Sequence, residues 1–449
     1  MELHEQRETE ERVILVGVEE QAGENAEESL KELGELAETA NAQVAGRVIQ
    51  RREKIHPSTY VGKGKIQELK EKIWELDATG IICDDELSPA QLNHLQEELE
   101  CKVMDRTLLI LDIFARHAVS REGKIQVELA QLRYRAARLT GLGNSLSRLG
   151  GGIGTRGPGE KRLEMDRRLI RVRIHHLKQE LEQVVRHRDL IRGQRKKSAR
   201  YTAALVGYTS VGKSALFRQM TGEETLVDPK LFATLDTCTR LIRRGGKQEI
   251  LLTDTVGFIR KLPHTLIDAF KSTLEEAVYA DVLIHVVDAS SSQAEMQMHV
   301  VYETLRELGA GDKPVITVLN KQDLLYEKRM IRDFHADYTI PASAKTGEGV
   351  EEIQTALEEI LRGQKIYIER VYPYSQGGIL QLIRSRGELV SEEYLPEGVA
   401  VKAYVPKEIY GKTFPLQRKQ NLKETKNPGF PTSTRDFFRF FLDNLLQKL

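Results

Sequence analysis

The stretch that decides the fold is Gly207-Tyr208-Thr209-Ser210-Val211-Gly212-Lys213-Ser214, which follows the apolar run TAALV and precedes the helix-like ALFRQM. A glycine-rich turn between a strand and a helix is the context of a phosphate-binding P-loop. Its backbone amides and the helix N-terminus can hold phosphates, Lys213 can reach the β and γ oxygens, and Ser214 can ligate Mg²⁺. The stretch therefore predicts a nucleotide site within an α/β domain that has a mainly parallel sheet.

A second element agrees with the first. The apolar run EILLT ends in Asp254-Thr255-Val256-Gly257, which would place a carboxylate near the metal and a glycine amide near the γ-phosphate. We therefore expect Lys213 and Gly257 to act in catalysis.

The base is predicted by two further elements. The run PVITVLNKQD ends in Asn320-Lys321-Gln322-Asp323, and an aspartate can accept from both N1–H and the 2-amino group of guanine. Adenine offers no matching pair of donors, so two charged hydrogen bonds would favour guanine by roughly 10² to 10⁴-fold. Ser343-Ala344-Lys345 follows the short strand YTIPA, and the Ala344 amide could donate to guanine O6. Together the four elements predict a GTP site with Mg²⁺.

Phe258 follows Gly257 at the position where many GTPases carry the glutamine that orients the attacking water. An aromatic ring cannot bond to that water, so we expect slow hydrolysis in the isolated protein and activation from outside. Nearby arginines could stabilise charge, but exposure at a strand end is the simpler role for Arg240, Arg243 and Arg244. We interpret His285, His175 and His176 as structural and Cys238 as incidental.

Length and composition restrict the class of protein. A chain of 449 residues exceeds one compact core, and 67 basic against 67 acidic residues give no net charge. It has no apolar run near the roughly 18 residues that span a bilayer, and thirteen glutamates in the first forty residues argue against a secretory signal. Three cysteines without CxxC spacing exclude a disulfide framework and a cysteine-based zinc site. We expect a cytoplasmic protein without a membrane span.

The N-terminal third alternates short apolar runs (VILVGV, QVAGRVI, GIICDD) with helix-like stretches, which predicts a small α/β domain with a parallel sheet. Ser88-Pro89 is a suitable start for a helix. The stretch Gly62-Lys63-Gly64-Lys65 could hold a phosphate, although a turn from strand to helix explains it more simply.

Two heptad patterns follow and predict an antiparallel helical hairpin. They comprise Ile125, Leu129, Leu132, Ala136 and Leu139, and then Ile170, Ile174, Leu177, Leu181 and Val184. Eight glycines between positions 141 and 159 predict a mobile loop at the tip. Residues 131–173 carry eleven basic and three acidic residues, which suits contact with an RNA backbone, although a solvated linker is the alternative. The candidate RNA contacts are Arg148, Gly151, Gly152 and Arg156.

The C-terminal part predicts a small sheet, because Val399, Val401, Ala403 and Val405 alternate with more polar positions, together with a helix near residues 378–384. Apolar residues from Phe437 to Leu449 recur at helical spacing and predict a docked terminal helix.

With these motifs the chain resembles the HflX family within the translation-factor class of P-loop GTPases. The resemblance includes DDELSPAQL from Asp84, GGIGTRGPGE from Gly150 and DTVGFI from Asp254. It also includes Phe232-Ala233-Thr234-Leu235-Asp236, the first switch signature, in which it implies that Thr234 is the second Mg²⁺ ligand and a catalytic residue. It runs from about Val13 to about Pro406, and the tail from about Phe414 matches no pattern of the family.

The resemblance implies an α/β protein of several domains. We expect an N-terminal α/β domain (1–120), a helical hairpin with a basic glycine-rich loop (121–199), a P-loop GTPase domain (200–363) and a small α/β C-terminal domain with a helical tail (364–449). It further implies a GTPase, stimulated by the ribosome, that binds the large ribosomal subunit and its RNA and splits or rescues stalled ribosomes under stress. We expect the protein to be monomeric.

Two alternatives stay open at this point. The protein could be an assembly or anti-association factor that uses the hairpin as a passive RNA-binding module and hydrolyses GTP only for release. The N-terminal domain could instead have its own ATP site and remodel RNA, for which residues 62–65 give the only indication.

Overall fold

The computed structural model describes residues 11–20, 25–146, 158–197, 201–222, 237–244, 248–261 and 274–413. These residues fall in two compact units, one within Met1–Arg244 and Glu249–Leu357, the other within Gly245–Gln248 and Glu358–Leu449. The described residues form three separate sheets, and the predicted mixed α/β architecture is confirmed. The domain boundaries drawn from the sequence stay predictions.

The N-terminal sheet has four strands in the order β2-β1-β3-β4, and each neighbouring pair is parallel. The strands are β1 (Glu11–Glu20), β2 (Ala42–Arg52), β3 (Gly80–Cys83) and β4 (Lys102–Asp105). The helices are α1 (Ala26–Thr39), α2 (Lys63–Glu75), α3 (Pro89–Leu99) and α4 (Arg106–His117). Parallel strands require crossover connections, which here contain the helices. The strands β1, β3 and β4 are buried over most of their length, whereas the edge strand β2 is only partly buried.

Local signals explain where these helices begin. Ser88 accepts a hydrogen bond from the Gln91 amide, and the Gln91 side chain accepts from the Ser88 amide, so the two form a capping box before α3. Gly62 precedes α2, and its N–H donates to Gln50 Oε1 at 2.8 Å. The interpretation of residues 62–65 as a turn from strand to helix is therefore replaced by a helix start, in which Gly62 is the N-cap and residues 63–65 lie in the first turn of α2.

The hairpin consists of α5 (Arg121–Leu146) and α6 (Pro158–Lys197). Arg173 on α6 pairs with Glu128 on α5, whereas Arg188, further along α6, pairs with the earlier Glu122. Since the partner number falls as the α6 number rises, the helices are antiparallel. Part of the predicted seam packs between them: Ile125, Leu129 and Leu177 are buried, and Leu132, Ile174 and Leu181 pack against them partly buried.

The predicted loop at the tip is too long. The glycines predict a loop over residues 141–159, but α5 continues through Gly141 and Gly143, and Gly159 lies in α6. A glycine weakens a helix by only about 1 kcal/mol relative to alanine, and a helix that has already formed gains one hydrogen bond with each residue it adds. Residues 147–157 lie outside the described part of the chain.

The central sheet has six strands in the order β10-β9-β8-β5-β7-β6. They are β5 (Tyr201–Gly207), β6 (Cys238–Arg244), β7 (Gln248–Asp254), β8 (Val282–Asp288), β9 (Val315–Asn320) and β10 (Tyr338–Pro341). The pairs β5–β7, β5–β8, β8–β9 and β9–β10 are parallel. The helices include α7 (Lys213–Thr221), α8 (Ala294–Glu307) and α9 (Val350–Gly363). The carboxyl ends of parallel strands share one edge, so the motifs that follow β5, β7, β8 and β9 meet there.

The C-terminal sheet is antiparallel, in the order β11-β13-β12. Its strands are β11 (Lys365–Tyr372), β12 (Glu388–Leu395) and β13 (Gly398–Pro406), with helices α10 (Gly377–Arg386) and α11 (Lys407–Tyr410). The alternating residues Val399, Val401, Ala403 and Val405 of β13 are all buried beside Ile383 of α10. The predicted small sheet and its helix are therefore present, and the predicted terminal helix lies outside the described residues.

Within the described ranges, no helix combines the length and the apolar character that crossing a bilayer requires.

Candidate functional site

The turn between β5 and α7 has a backbone that only glycine can supply at two points. Gly207 has φ +152° and Gly212 has φ +94°. A Cβ atom at Gly207 would lie 2.3 Å from the Val286 carbonyl oxygen, and one at Gly212 would lie 2.3 Å from Asn320 Nδ2. The turn therefore packs tightly against the ends of β8 and β9, and α7 begins at Lys213 with its first amides at this edge.

Lys213 is buried within the turn. Its Nζ donates to the carbonyl oxygens of Gly207 at 3.1 Å and Tyr208 at 2.6 Å. Burial lowers the pKa of Lys213 to about 8, and Asp254 partly opposes this by favouring the charged form. A buried ammonium next to a phosphate-binding turn can stabilise negative charge more strongly than a solvated one, because less water screens it.

Ser214 and Asp254 form the oxygen pair that a divalent cation would need. The Ser214 hydroxyl donates to Asp254 Oδ2 at 2.7 Å, and Asp254 is buried at the end of β7. A hydroxyl and a carboxylate side by side are hard oxygen donors of the kind that Mg²⁺ prefers, so the residues present fit a magnesium ion. Thr234, the other expected ligand, lies outside the described residues, as do Phe232, Ala233, Leu235 and Asp236.

Residues 254–261, called here the second switch segment, lie against the phosphate-binding turn. Phe258 N donates to the Gly207 carbonyl at 3.0 Å, and Thr209 N donates to the Phe258 carbonyl at 2.9 Å. A Cβ atom at Gly257 would lie 3.0 Å from Lys213 Nζ and 2.9 Å from Thr209 Cα. Gly257 is therefore held next to Lys213, where a side chain would not fit.

The side chains of Thr255, Val256 and Phe258 point into the protein. Thr255 donates its hydroxyl hydrogen to the Leu205 carbonyl at 2.6 Å, and Val256 is buried. The Phe258 ring is only 2 % exposed. It has no polar atom to offer a water molecule, and its burial directs it away from solvent.

Asn320, the first residue of the predicted base-binding loop, contacts the turn between β5 and α7 directly. Asn320 Nδ2 donates to the Val211 carbonyl at 2.7 Å, and Asn320 Oδ1 accepts from the Ala344 amide at 2.8 Å. One asparagine thus joins three loops. The expectation that the Ala344 amide donates to guanine O6 does not match this arrangement, because Asn320 already accepts from that amide.

Asp323 is exposed, and its Oδ1 accepts from the Ser343 hydroxyl at 2.7 Å. Lys321, with φ +64°, places its Nζ 2.7 Å from Asp288 Oδ2 at the end of β8. Gln322 is buried, and its side-chain amide donates to the carbonyl oxygens of Leu319 and Arg329. Lys345 is exposed. The carboxylate of Asp323 is therefore fixed by a neighbouring hydroxyl and remains accessible to a base.

The four candidate RNA contacts, Arg148, Gly151, Gly152 and Arg156, lie outside the described residues. Within the described hairpin, Arg135, Arg168 and Arg171 are exposed. Leu169 lies in the groove between α5 and α6 that Arg135 also lines. The described part of the hairpin therefore presents both positive charge and apolar surface.

Three histidines and Arg240, for which the sequence predicts no part in the chemistry, have surroundings that agree with that prediction. His285 is 1 % exposed and packs edge-on against Tyr302, with ring centroids 5.0 Å apart. His175 and His176 lie on the exposed face of α6, and Arg240 is exposed on β6. Cys238 is a free thiol. The structure does not describe the side chains of Arg243 and Arg244.

Sequence reasoning missed the contacts that join this site to the N-terminal sheet. The Tyr208 hydroxyl donates to Glu32 Oε2 on α1, and Lys261 pairs with Asp84 and Asp85, which follow β3. Asp288, the partner of Lys321, was also missed. Each acidic residue except Glu32 lies at or directly after the end of a buried strand, and that position was a usable signal.

Three family models match the chain in succession. Residues 27–115 match one described as GTP-binding GTPase N-terminal, residues 117–195 match GTP-binding GTPase Middle Region, and residues 202–321 match 50S ribosome-binding GTPase.

The chain is also similar to curated proteins along most of its length. It is 62 % identical over 409 residues to the GTPase HflX of Lacrimispora saccharolytica, covering 91 % of this chain and 97 % of that one. It is 40 % identical over 384 residues to the GTPase HflX of Escherichia coli, covering 84 % and 89 %. Among solved structures, a GTP-binding protein of Sulfolobus solfataricus in complex with GDP is 26 % identical, covers 78 % of this chain and 98 % of its own, and has a TM-score of 0.41.

Proposed function

The chain belongs to the HflX family of GTPases, and from this premise we propose that it is a GTP-hydrolysing switch that acts on the large ribosomal subunit and splits or rescues stalled ribosomes under stress. The observation that supports this most directly is a positively charged hairpin placed in the chain between two α/β domains, one of which carries the phosphate-binding turn. The basic charge of the hairpin suits contact with an RNA backbone.

The middle of α5 is attached to the N-terminal domain through a buried carboxylate. Asp105, fully buried at the end of β4, accepts from Tyr134 and Arg138 of α5, at 2.7 Å and 2.6 Å. It also accepts from the backbone amides of Leu87 and Leu108, at 3.1 Å and 2.9 Å. A carboxylate that holds four donors orients α5 firmly, which supports a hairpin in a fixed orientation rather than a flexible linker.

We assign the nucleotide roles as follows. Lys213 stabilises the β and γ oxygens, Gly257 donates its amide to the γ-phosphate, and Asp323 reads the guanine edge, while Asn320 holds the phosphate-binding and base-binding loops together. Ser214 and Thr234 would hold Mg²⁺. The Asp254 carboxylate accepts a hydrogen bond from the Ser214 hydroxyl. When bound, the ion would neutralise phosphate charge that develops during hydrolysis.

Hydrolysis by the free protein is proposed to be slow. The Phe258 side chain, which follows Gly257, is apolar and buried, so it cannot orient the attacking water. A tenfold stimulation needs only about 1.4 kcal/mol of extra transition-state stabilisation, which one ordered switch segment or one added charge could supply. We propose that the large subunit supplies it when the hairpin docks on RNA.

Single-turnover GTP hydrolysis tests this proposal. Rates are compared for free protein, protein with purified large subunits, and protein with naked RNA of similar charge. We expect stimulation by large subunits alone. Fast hydrolysis by the free protein, or equal stimulation by any polyanion, would contradict the proposal.

A subunit-separation assay then distinguishes splitting from the alternative of a release-only or anti-association role. If a non-hydrolysable GTP analogue suffices to separate the subunits, binding does the work and hydrolysis serves release. If turnover is required, hydrolysis drives separation.

We further propose that the protein acts as a monomer in the cytoplasm, where ribosomes are found.

A further inference from the structure

Lys261 ends the described part of the second switch segment and reaches into the N-terminal domain. Its Nζ lies 2.6 Å from Asp84 Oδ2 and 2.7 Å from Asp85 Oδ1. Its backbone has φ +51°, a left-handed conformation that a lysine adopts only when its surroundings favour it. Two carboxylates on one ammonium provide such surroundings.

The two carboxylates are themselves fixed in place. Asp84 accepts from Arg106 Nη1 at 2.8 Å and from the Ser29 hydroxyl at 2.7 Å, and its side chain is 3 % exposed. Asp85 accepts from the hydroxyl of Tyr60, a residue of the N-terminal core, at 2.7 Å. A lysine held by two constrained acceptors loses freedom itself, so Lys261 is attached to a rigid part of the N-terminal domain.

The charges agree with a tight attachment. Burial opposes the charged form of Lys261, but Asp84 and Asp85 outweigh it and raise its pKa above the usual value. Burial likewise opposes ionisation of Asp84, but Arg106 and Lys261 lower the pKa of that carboxyl below its usual value. The two groups are therefore oppositely charged at neutral pH.

A second attachment lies one residue away. The Arg260 amide donates to the Tyr208 hydroxyl at 2.9 Å, and that hydroxyl donates to Glu32 Oε2 at 2.7 Å. Glu32 also pairs with Arg106. The N-terminal domain thus holds residues 260 and 261, and the phosphate-binding turn holds Phe258. Gly257 lies only four residues before Lys261, so these contacts fix the position of its backbone.

We propose that Lys261 is a positioning residue for GTP hydrolysis: its ion pairs with Asp84 and Asp85 hold the second switch segment so that Gly257 stays beside Lys213. The inference rests on the proposed role of Gly257 in hydrolysis, and it makes the N-terminal domain a determinant of the rate. Preorganised donors contribute to catalysis because they need no rearrangement as charge develops, and small misplacements can cost up to about 100-fold.

The test compares Lys261→Met, which keeps the length of the side chain and removes its charge, with wild-type protein. We expect the single-turnover rate constant for GTP to fall about tenfold or more, while the affinity for GDP, which has no γ-phosphate, stays within about twofold. Lys261→Arg should retain most of the rate, because it keeps a donor for both carboxylates. The matched control is Lys328→Met, which breaks the exposed Lys328–Glu348 pair in the same domain and should leave the rate unchanged.

A double-mutant cycle addresses folding. Asp85→Asn weakens the same attachment from the N-terminal side, and its effect on the rate should not add to that of Lys261→Met. Thermal unfolding of each variant identifies any general loss of structure. Additive effects, an unchanged rate or a faster rate in Lys261→Met would overturn the role of Lys261 alone. Absence of GTP hydrolysis by wild-type protein would overturn both this inference and the proposed function.

Discussion

The Tyr208 hydroxyl donates to the Glu32 carboxylate at 2.7 Å, which joins the phosphate-binding turn to helix α1 of the N-terminal domain. Tyr208 occupies a position in the turn that needs no particular side chain to bind phosphate, since backbone amides do that. Here the position carries an aromatic residue with 3 % exposure, and its hydroxyl also accepts from the Arg260 amide. The side chain therefore connects three segments that are far apart in sequence.

Tyr208→Phe should reveal the contribution of this hydroxyl. The substitution keeps the ring and removes one acceptor and one donor, so the Arg260 amide and the Glu32 carboxylate each lose a partner. We expect the free energy of unfolding to fall by about 1 to 3 kcal/mol, measured by urea titration. Tyr326→Phe, at a fully exposed tyrosine of the same unit, is the control and should cost less than about 0.5 kcal/mol. Equal, small losses of unfolding free energy in both variants would show that the hydrogen bonds of the Tyr208 hydroxyl contribute no stability.

Asp323→Asn should change the preferred base. The carboxylate is exposed and held by the Ser343 hydroxyl, which can also orient an asparagine oxygen. One acceptor becomes a donor, so preference should shift from GTP toward xanthosine triphosphate, whose 2-oxo group accepts a hydrogen bond. Competition binding measures the shift, with Asp312→Asn, on the loop before β9, as the matched control. Full guanine selectivity in Asp323→Asn would mean that the base is read elsewhere.

The two residues at the start of α7 should respond differently to Mg²⁺. Lys213→Ala removes a charge from the phosphates, and Ser214→Ala removes an oxygen donor that lies 2.7 Å from Asp254. Raising the Mg²⁺ concentration should therefore partly restore GTP affinity in Ser214→Ala and leave Lys213→Ala impaired. Affinities are measured with a fluorescent GTP analogue over a range of Mg²⁺ concentrations. If both variants recover equally, the separate roles assigned to them are incorrect.

The exposed arginines of the hairpin should make RNA binding sensitive to salt. Replacing Arg135, Arg168 and Arg171 together by glutamine should weaken binding to large subunits. The slope of log K against log salt should become shallower by roughly 0.7 to 0.9 for every phosphate that the variant no longer neutralises. GTP affinity should stay unchanged. Arg332→Gln removes an exposed charge outside the hairpin and serves as the control. An unchanged slope in the triple variant would place the RNA-binding surface elsewhere.

The nucleotide site could be predicted from sequence because each of its parts is a short contiguous pattern. The turn that starts at Gly207 and the loop that ends in Asp323 each follow a buried strand, and parallel strands bring such ends together. The length of α5 could not be predicted in the same way. Glycines at 141 and 143 lower helix propensity, but they do not determine where a long helix ends.

The contacts between domains could not be predicted, because no local pattern relates their members. Lys261 and Asp84 are 177 positions apart, and Tyr208 and Glu32 are 176 apart. Their pairing depends on how one α/β domain packs on another. The hydrogen bond from the Ala344 amide to Asn320 could not be predicted for a similar reason, because Asn320 lies on a different loop. From the sequence, either a base or a side chain could accept from that amide.

His285 should make stability depend on pH in mildly acidic solution. Burial lowers the pKa of His285 to about 4; Asp333 opposes that shift and Lys213 adds to it. The ordinary pKa of histidine is about 6.5, so between these values the unfolded chain binds more protons than the folded one. Stability therefore rises with pH in this window, and the contribution of neutral His285 is lost as the pH falls from about 6.5 toward 4.

His285→Gln removes this titration. Between pH 7 and pH 5 the wild-type protein should lose about 2 kcal/mol more unfolding free energy than the variant, measured by urea titration at both pH values. Comparing the two proteins cancels the carboxylates, which titrate in both. His299→Gln, at an exposed histidine of α8, is the control and should keep the wild-type pH dependence. The same loss of stability in wild type and His285→Gln would mean that His285 becomes protonated without cost, and that its burial does not hold it neutral.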